Sequence, residues 1–188
     1  LNFVTGAAVW FNATNVSVGS SLQCAAVADD SSGYYNCTLN TSAMQFGRYN
    51  LTMNATRLHY NDSFKNSVTS AFVVTSKPTV ASALINPTTN GWGNRTEFNI
   101  TVEDIDNGAS VDGDQVNVSV YKRLSGGTFS LINSSVTPYA SQAVATFKRR
   151  FACTDVGTNE IRFNATDIWG NSVEPAWQNI TLRKDTVS

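Results

Sequence analysis

The chain is poor in charged residues and in histidine. Charged residues make up 14% of the 188 residues, whereas ordinary soluble domains contain roughly 25%. The formal net charge of −1 gives no electrostatic attraction to nucleic acid or to an acidic membrane surface. The single histidine, His59, excludes multi-histidine metal sites and disfavours a Ser-His-Asp triad.

Motifs for membrane insertion and catalysis are also missing. No run of 18 apolar residues is present, so we expect no direct membrane insertion within this segment. The sequence has no glycine-rich phosphate loop, no Cys-x-x-Cys, no paired catalytic carboxylates and no nucleophile elbow. These absences favour a protein that is not an enzyme. The sequence begins at Leu1 without a signal peptide, so we interpret it as an internal or processed part of a longer protein.

Asparagine followed two residues later by serine or threonine is strongly over-represented. With 20 Asn and 41 Ser plus Thr, chance predicts about 20 × 41/188, or roughly 4, such sequons, whereas the chain has 13. Strand alternation would place Asn and Thr together on an outer face, but Lys, Glu or Gln would serve equally well there. We therefore predict dense N-linked glycans and an extracellular, cell-surface location. The predicted sites are Asn12, Asn15, Asn36, Asn40, Asn50, Asn54, Asn61, Asn94, Asn99, Asn117, Asn133, Asn164 and Asn179.

The three cysteines fit an exported chain. Cys24 and Cys37 are close enough in sequence to bridge two strands, and an oxidising compartment would join them. Two buried free thiols are the alternative. Cys153 has no local partner, so we expect it to be either buried and free or paired outside this chain.

A repeated segment organises the chain. Residues 47–58 and 157–168 share their glycine and an Asn-Ala-Thr triplet at an offset of 110, and residues 66–72 and 171–177 share Asn-Ser-Val. Apolar residues occupy every second position of each copy, which is the period of a strand with one buried face. The repeat predicts two homologous β-modules, at residues 1–76 and 77–188.

The sequence of the second module predicts seven short strands separated by frequent turns. This pattern is typical of an immunoglobulin-like sandwich. The first module has 46 residues before its repeat glycine, Gly47, whereas the second, counted from Pro78, has 79 before Gly157. Two strands and a loop are therefore missing. We predict an all-β chain of two tandem immunoglobulin-like β-sandwich modules, the first without its first two strands.

The incomplete first module has apolar residues that need a cover. We expect it to be completed from outside these residues, by a strand from another copy of the chain or by unseen sequence of a longer protein. The inward-facing residues are Val9, Phe11, Leu51, Met53, Phe72 and Val74.

An acidic loop at residues 104–114 is the one candidate metal site. Its alternating carboxylates, Asp104, Asp106, Asp112 and Asp114, are of the kind that Ca²⁺ prefers, although the terminal Glu of an EF-hand is absent. A solvated hairpin loop is the alternative interpretation.

Tryptophans in loops are candidate sugar-binding residues. Trp92 and Trp169 fall in predicted loops, whereas Trp10 and Trp177 fall in predicted strands. A loop tryptophan can stack on a sugar, or it can fill the end of a sandwich or the joint between two modules.

Three segments resemble known surface repeats. Residues 47–56 resemble the G-x-Y-x-L-T-V-x-A-T-D strand of prokaryotic Ig-like surface repeats, residues 167–172 the D-x-x-G-N-S turn, and residues 184–188 the D-T-V-x-P linker. The sequon density resembles that of archaeal cell-surface glycoproteins. The resemblance implies tandem sandwiches in S-layers, surface filaments or adhesins, with no catalytic residues. Residues 57–62 depart from the turn of the pattern.

Together these features predict a structural component of an extracellular filament or S-layer. Its partners would be copies of itself or neighbouring modules, and it would need no cofactor apart from its glycans and a possible Ca²⁺. An adhesin or carbohydrate-binding module is the alternative, and an accessory domain of an exported enzyme is a third hypothesis.

Overall fold

The chain folds as two β-sandwich units in a computed structural model. The structure describes residues 7–24, 28–29, 34–56, 58, 64–105, 115–138 and 143–184. The first compact unit ends at Thr75 and the second begins at Ser76. Within the described ranges there is no helix long and apolar enough to cross a membrane.

The second unit has the two facing sheets of an immunoglobulin-like sandwich. One sheet has the order β11-β10-β13-β15-β8, with β14 also paired to β13, and the other has the order β12-β9-β7. All pairs are antiparallel except β8 with β15. The strands are β7 Thr79–Asn86, β8 Thr89–Gly91, β9 Arg95–Glu103, β10 Gln115–Leu124, β11 Ser130–Pro138, β12 Ala143–Arg150, β13 Gly157–Thr166, β14 Ser172–Val173 and β15 Gln178–Arg183.

Alternating apolar residues from both sheets fill the core of the second unit. Burying each Val, Ile or Phe side chain stabilises the fold by about 1.5 to 3 kcal/mol. Strand alternation places the intervening residues on the outer faces. The core residues that are 0% exposed are Phe98, Ile100, Val102, Val116, Val118, Val120, Ile161, Phe163, Ala165 and Ile180.

The first unit contains a four-stranded sheet and a smaller two-stranded ribbon. A four-stranded antiparallel sheet has the order β2-β1-β5-β6, and β3 and β4 form a separate two-stranded ribbon. A 3-10 turn at Thr41–Ala43 lies between β4 and β5. The strands are β1 Ala8–Asn15, β2 Ser21–Gln23, β3 Ala28–Asp29, β4 Tyr35–Asn36, β5 Gly47–Thr56 and β6 Phe64–Val74.

Strand pairing shows that the two units are built on the same register. β1 pairs with β5 as β10 pairs with β13, and β5 pairs with β6 as β13 pairs with β15. Corresponding pairs are Val9–Ala55 with Val118–Ala165, Phe11–Met53 with Val120–Phe163, and Gly47–Val74 with Gly157–Leu182. The repeat in the sequence is therefore a repeat of three sheet strands in space.

The other sheet of the first unit is reduced. Among its described residues, no strand corresponds to β7 or β9 of the second unit. Phe11, Leu51, Met53 and Phe72 are half-buried, whereas Ile161 and Phe163, which match Leu51 and Met53, are 0% exposed. The small core consists of Ala13, Tyr49 and Val74 with a few half-buried neighbours. An apolar face of the first unit's sheet thus remains partly uncovered.

Candidate glycosylation and assembly surfaces

The sequon asparagines lie mostly where solvent reaches their side chains. Eleven of the twelve in the described residues are exposed or half-buried, and Asn61 lies outside the described residues. The exposed ones are Asn36, Asn40, Asn94, Asn117, Asn133 and Asn179, and the half-buried ones are Asn12, Asn50, Asn54, Asn99 and Asn164.

Asn15 is the exception. Its side chain is 1% exposed, its amide Nδ2 donates to the carbonyl of Phe46 at 3.1 Å, and its Oδ1 accepts from the backbone of Ser17 at 2.9 Å. A glycan would replace a hydrogen on Nδ2 and add bulk where the folded chain has no space. We therefore expect no glycan on Asn15 in folded protein: its amide closes the β1–β2 turn, which the sequon pattern alone could not reveal.

Three sequon asparagines share the outer face of the first unit's sheet. Asn12 on β1 pairs with Thr52, which lies between Asn50 and Asn54 on β5. Diagonal neighbours in an antiparallel pair are about 7 to 8 Å apart. Trp10 pairs directly with Asn54, so a large aromatic side chain lies among these asparagines. The face opposite the core is thus dominated by potential glycan sites.

The second unit carries sequon asparagines on the outer faces of both sheets. Asn117, Asn164 and Asn179 lie on the larger sheet, on β10, β13 and β15. Asn99 lies on β9, where its Nδ2 donates to Glu97 Oε1 at 2.9 Å. That hydrogen bond, with the nearby charge of Lys148, lowers the pKa of the Glu97 carboxyl.

Hydrogen bonding explains the Asp-x-x-Gly-Asn-Ser turn after β13. Oδ1 of the Asp167 carboxylate accepts hydrogen bonds from the backbone N–H groups of Trp169 and Asn171, both at 2.8 Å. Its Oδ2 accepts from Asn171 Nδ2 at 2.7 Å, and the same amide donates to the carbonyl of Ser76 at 3.2 Å. Asp167 therefore organises the turn and ties it to the start of the second unit.

A disulfide joins Cys24 to Cys37, with Cα atoms 5.9 Å apart. Cys24 follows β2 and its backbone donates to Phe11, while Cys37 follows β4. The bridge therefore ties the small ribbon to the edge of the four-stranded sheet. Cys153 is exposed and forms no disulfide within the chain. It lies in the 3-10 turn Cys153–Asp155 between β12 and β13, so it is not the buried thiol of the first alternative, and pairing outside this chain stays a prediction.

The predicted Ca²⁺ ligands fall largely outside the described residues. This applies to Asp106, Asp112 and Asp114. Asp104 is 3% exposed, and its Oδ1 accepts from the Ser76 hydroxyl at 3.1 Å. Elsewhere in the described part of the chain, no three His, Cys, Asp or Glu residues are grouped to hold a metal. Ca²⁺ binding stays a prediction.

The two loop tryptophans lie at opposite ends of the second unit. The backbone of Trp92 donates to Arg183, the last residue of β15, whereas Trp169 lies in the turn that precedes β14 and β15. The six residues of β15 span about 20 Å at the usual rise per residue. Trp92 and Trp169 therefore do not combine into one sugar-binding site.

The sequence reasoning missed a cluster of arginines and aromatic rings on the outer face of the larger sheet. Arg123 and Arg162 lie across the faces of nearby rings and are paired with glutamates. The period-two spacing of 121 with 123 and of 160 with 162 places these residues on one face, but their contact with Phe129 and Trp177 depends on the fold. This arginine–aromatic cluster consists of Tyr121, Arg123, Phe129, Arg162 and Trp177.

Comparisons with known proteins concern the fold alone. No protein-family model matches the chain, and no curated protein matches its sequence. The fibronectin(III)-like modules of CbhA from Clostridium thermocellum are 19% identical over 97% of this chain and 83% of their own, with a TM-score of 0.41. The Yersinia pseudotuberculosis adhesin InvE is 14% identical over 97% of this chain and 50% of its own, with a TM-score of 0.37. Domains 4 and 5 of the S-layer protein SbsC are 10% identical over 92% of this chain and 96% of their own, with a TM-score of 0.28.

Proposed function

We propose that the chain is a non-catalytic structural part of an extracellular, N-glycosylated surface assembly. The observation that carries this proposal is the position of the sequon asparagines: eleven of the twelve in the described residues are reached by solvent. With 14% charged residues, the outer faces have few charges to keep them soluble, and glycans would supply a hydrated coat. The Cys24–Cys37 disulfide also supports an oxidising, extracellular location.

The glycans would be attached by the host's glycosylation machinery. Attachment forms a bond between Nδ2 of asparagine and C1 of a sugar that arrives on a phosphate-containing carrier. The nitrogen gives up one proton, and the carrier leaves with the electron pair of the broken C1–O bond. The chain itself supplies the acceptor amide and no catalytic group.

Assembly would use the uncovered side of the first unit. In the second unit β15 pairs with β13 on one side and with β8 on the other. The matching strand β6 has β5 as its one partner among the described residues. A strand from a neighbouring subunit or module would pair there and cover the apolar face, as in strand-addition complexes. Such a contact uses different surfaces on the two partners, so it can propagate into a filament or layer.

Glycopeptide mass spectrometry of the protein from its native source tests the proposal, together with electron microscopy of the intact assembly. We expect sugar on most of the eleven solvent-reached asparagines and an ordered array of repeating modules. Bare asparagine at most of these positions, or a freely dispersed monomer in the native material, would contradict the proposal.

A further inference from the structure

The arginine–aromatic cluster forms a continuous stack on the outer face of the second unit. The guanidinium carbon of Arg123 lies 4.5 Å from the ring centre of Phe129 and 4.7 Å from that of Trp177. That of Arg162 lies 4.7 Å from Phe129 and 4.8 Å from Tyr121. Phe129 and Trp177 also meet edge to face, with ring centres 5.1 Å apart.

Carboxylates neutralise both arginines. Arg123 Nε lies 2.6 Å from Glu160 Oε2, and Arg162 Nη1 lies 3.6 Å from Glu174 Oε1. The cluster is therefore poorly suited to attract a free anion such as phosphate. Its chemistry is that of aromatic rings packed with neutralised guanidinium groups, which suits a neutral, hydroxyl-rich ligand.

Trp177 gives this surface its exposed face. The side chain is 50% exposed although its ring is held against Phe129 and Arg123. A single exposed aromatic residue needs no functional explanation by itself. What distinguishes Trp177 is its position relative to a sequon asparagine.

Asn179 lies beside Trp177 on the same outer face. Residues two apart in an extended chain point to the same side. Gln178 between them points the other way, because its side chain donates to the carbonyl of Ala83. Asn179 pairs with Glu160, and Glu160 pairs with Arg123, so the asparagine lies in the same row of the sheet as the ion pair of the cluster. Asn179 is exposed, and its amide forms no hydrogen bond within the described part of the chain.

The same spacing occurs twice more. The pattern Trp-x-Asn-x-Thr is found at residues 10–14, 92–96 and 177–181. Thirteen sequons in a chain with four tryptophans among 188 residues would place a tryptophan at this position about 0.3 times by chance. Trp10 also lies in β1 on the outer face, directly across from Asn54. Three of the four tryptophans thus lie two residues before a sequon asparagine.

We propose that the first sugars of a glycan on Asn179 pack against the exposed face of Trp177, with the margin of the arginine–aromatic cluster donating hydrogen bonds to sugar hydroxyls. The C–H face of a pyranose ring is apolar and carries a partial positive charge, which complements the negative face of an indole. This inference rests on the proposed glycosylation. The contact with Trp177 would hold the glycan against the sheet. It would also stabilise the second unit by removing apolar surface from water.

A double-mutant cycle tests the proposal on the full chain produced in a host that glycosylates Asn-x-Ser/Thr. The melting temperature is compared for the wild type, N179Q, W177A and the double variant. We expect loss of the Asn179 glycan to lower the melting temperature by about 4 °C when Trp177 is present and to have little effect in W177A. N117Q is the matched control, because Asn117 is an exposed sequon residue on the same sheet that follows Gln115 rather than an aromatic residue.

Oxidative footprinting of the wild type and N179Q gives a second readout that does not depend on how well W177A folds. We expect Trp177 to be oxidised more slowly when Asn179 carries its glycan, with Trp169 unchanged as a control. If Asn179 carries a glycan but neither measurement shows coupling to Trp177, the proposed glycan–Trp177 contact is refuted and the proposed function stands. If Asn179 is the one sequon asparagine without a glycan in native protein, the glycan–Trp177 contact is again refuted and the proposed function again stands. If all the sequons are bare, both proposals fail.

Discussion

The hydroxyl of Tyr49 donates a 2.8 Å hydrogen bond to the carbonyl of Gln45, which closes the corner where the chain enters β5. A tyrosine in this role is a hallmark of immunoglobulin-like domains. The second unit uses Asn159 at the matching position: its Nδ2 donates to the carbonyl of Asp155 at 2.7 Å. Both side chains are almost fully buried. The corner is thus kept in both units, but with a different side chain.

The repeat glycine next to this corner is required by its backbone and by its neighbour. Gly47 has φ of +137°, and a Cβ on it would lie 2.8 Å from Asn15 Nδ2. Gly157 has φ of +122°, and its Cβ would meet Leu124 Cδ1 at 3.5 Å, which is ordinary contact. We expect Gly47→Ala to lower the free energy of unfolding of the first unit by about 2 to 3 kcal/mol, and Gly157→Ala to cost the second unit about 1 kcal/mol.

Denaturant unfolding that is monitored by amide hydrogen exchange distinguishes the stability of the two units in this test. Gly126→Ala serves as a control for positive φ alone, because Gly126 has φ of +80° with nothing within 4 Å of its Cβ. Equal losses at Gly47 and Gly126 would contradict the role assigned to the Asn15 contact.

The repeat and the alternation of apolar residues were sufficient to predict the fold. Glycine and Asn-Ala-Thr at an offset of 110 identified β5 and β13, and counting residues back from each glycine predicted that strands corresponding to β7 and β9 are absent from the first unit. Short strands such as β8 and β14 were missed, because two or three residues carry no period. The burial of Asn15 and the arginine–aromatic cluster were also missed, since both depend on side chains that meet from different strands.

Removing the disulfide should destabilise the first unit. Cys24 and Cys37 are separated by 13 residues in sequence, and a bridge of this loop length stabilises by roughly 3 kcal/mol in the chain-entropy model. Replacing both by Ala should therefore lower the first unfolding transition and leave the second unit unchanged. Alkylation without reductant should label Cys153, which is exposed and free, and should spare the other two. Labelling of all three thiols in native protein would refute the bridge.

Asn12 and Asn15 form an internal comparison for the glycan coat. Both are sequon residues on β1, three positions apart, but Asn12 is half-buried on the outer face and Asn15 is 1% exposed. We expect a glycan on Asn12 and none on Asn15 in folded protein. Asn15→Ala should cost about 1 to 3 kcal/mol, because it removes the hydrogen bonds that the Asn15 side chain makes with the backbone of Ser17 and Phe46. Glycopeptide mapping that finds both asparagines equally occupied would contradict this assignment.

The apolar face of the first unit's sheet is partly uncovered at β6. Val68 on β6 is 52% exposed, although its strand partner Leu51 packs against the core of that unit. Paired residues of antiparallel strands point to the same side, so Val68 lies on the face that a donated strand would cover. An exposed apolar face beside an unpaired strand edge promotes association. We expect the wild-type chain to self-associate with rising concentration in sedimentation velocity experiments. Val68→Glu should shift it towards monomer without loss of stability, because a charge at an exposed position costs the folded monomer little but must be desolvated in the contact.

Val18→Glu is the matched control, since Val18 is 62% exposed in the turn between β1 and β2 and away from this face. A wild type that stays monomeric at every concentration, or equal effects of the two substitutions, would rule out this face as the assembly contact between copies of the chain.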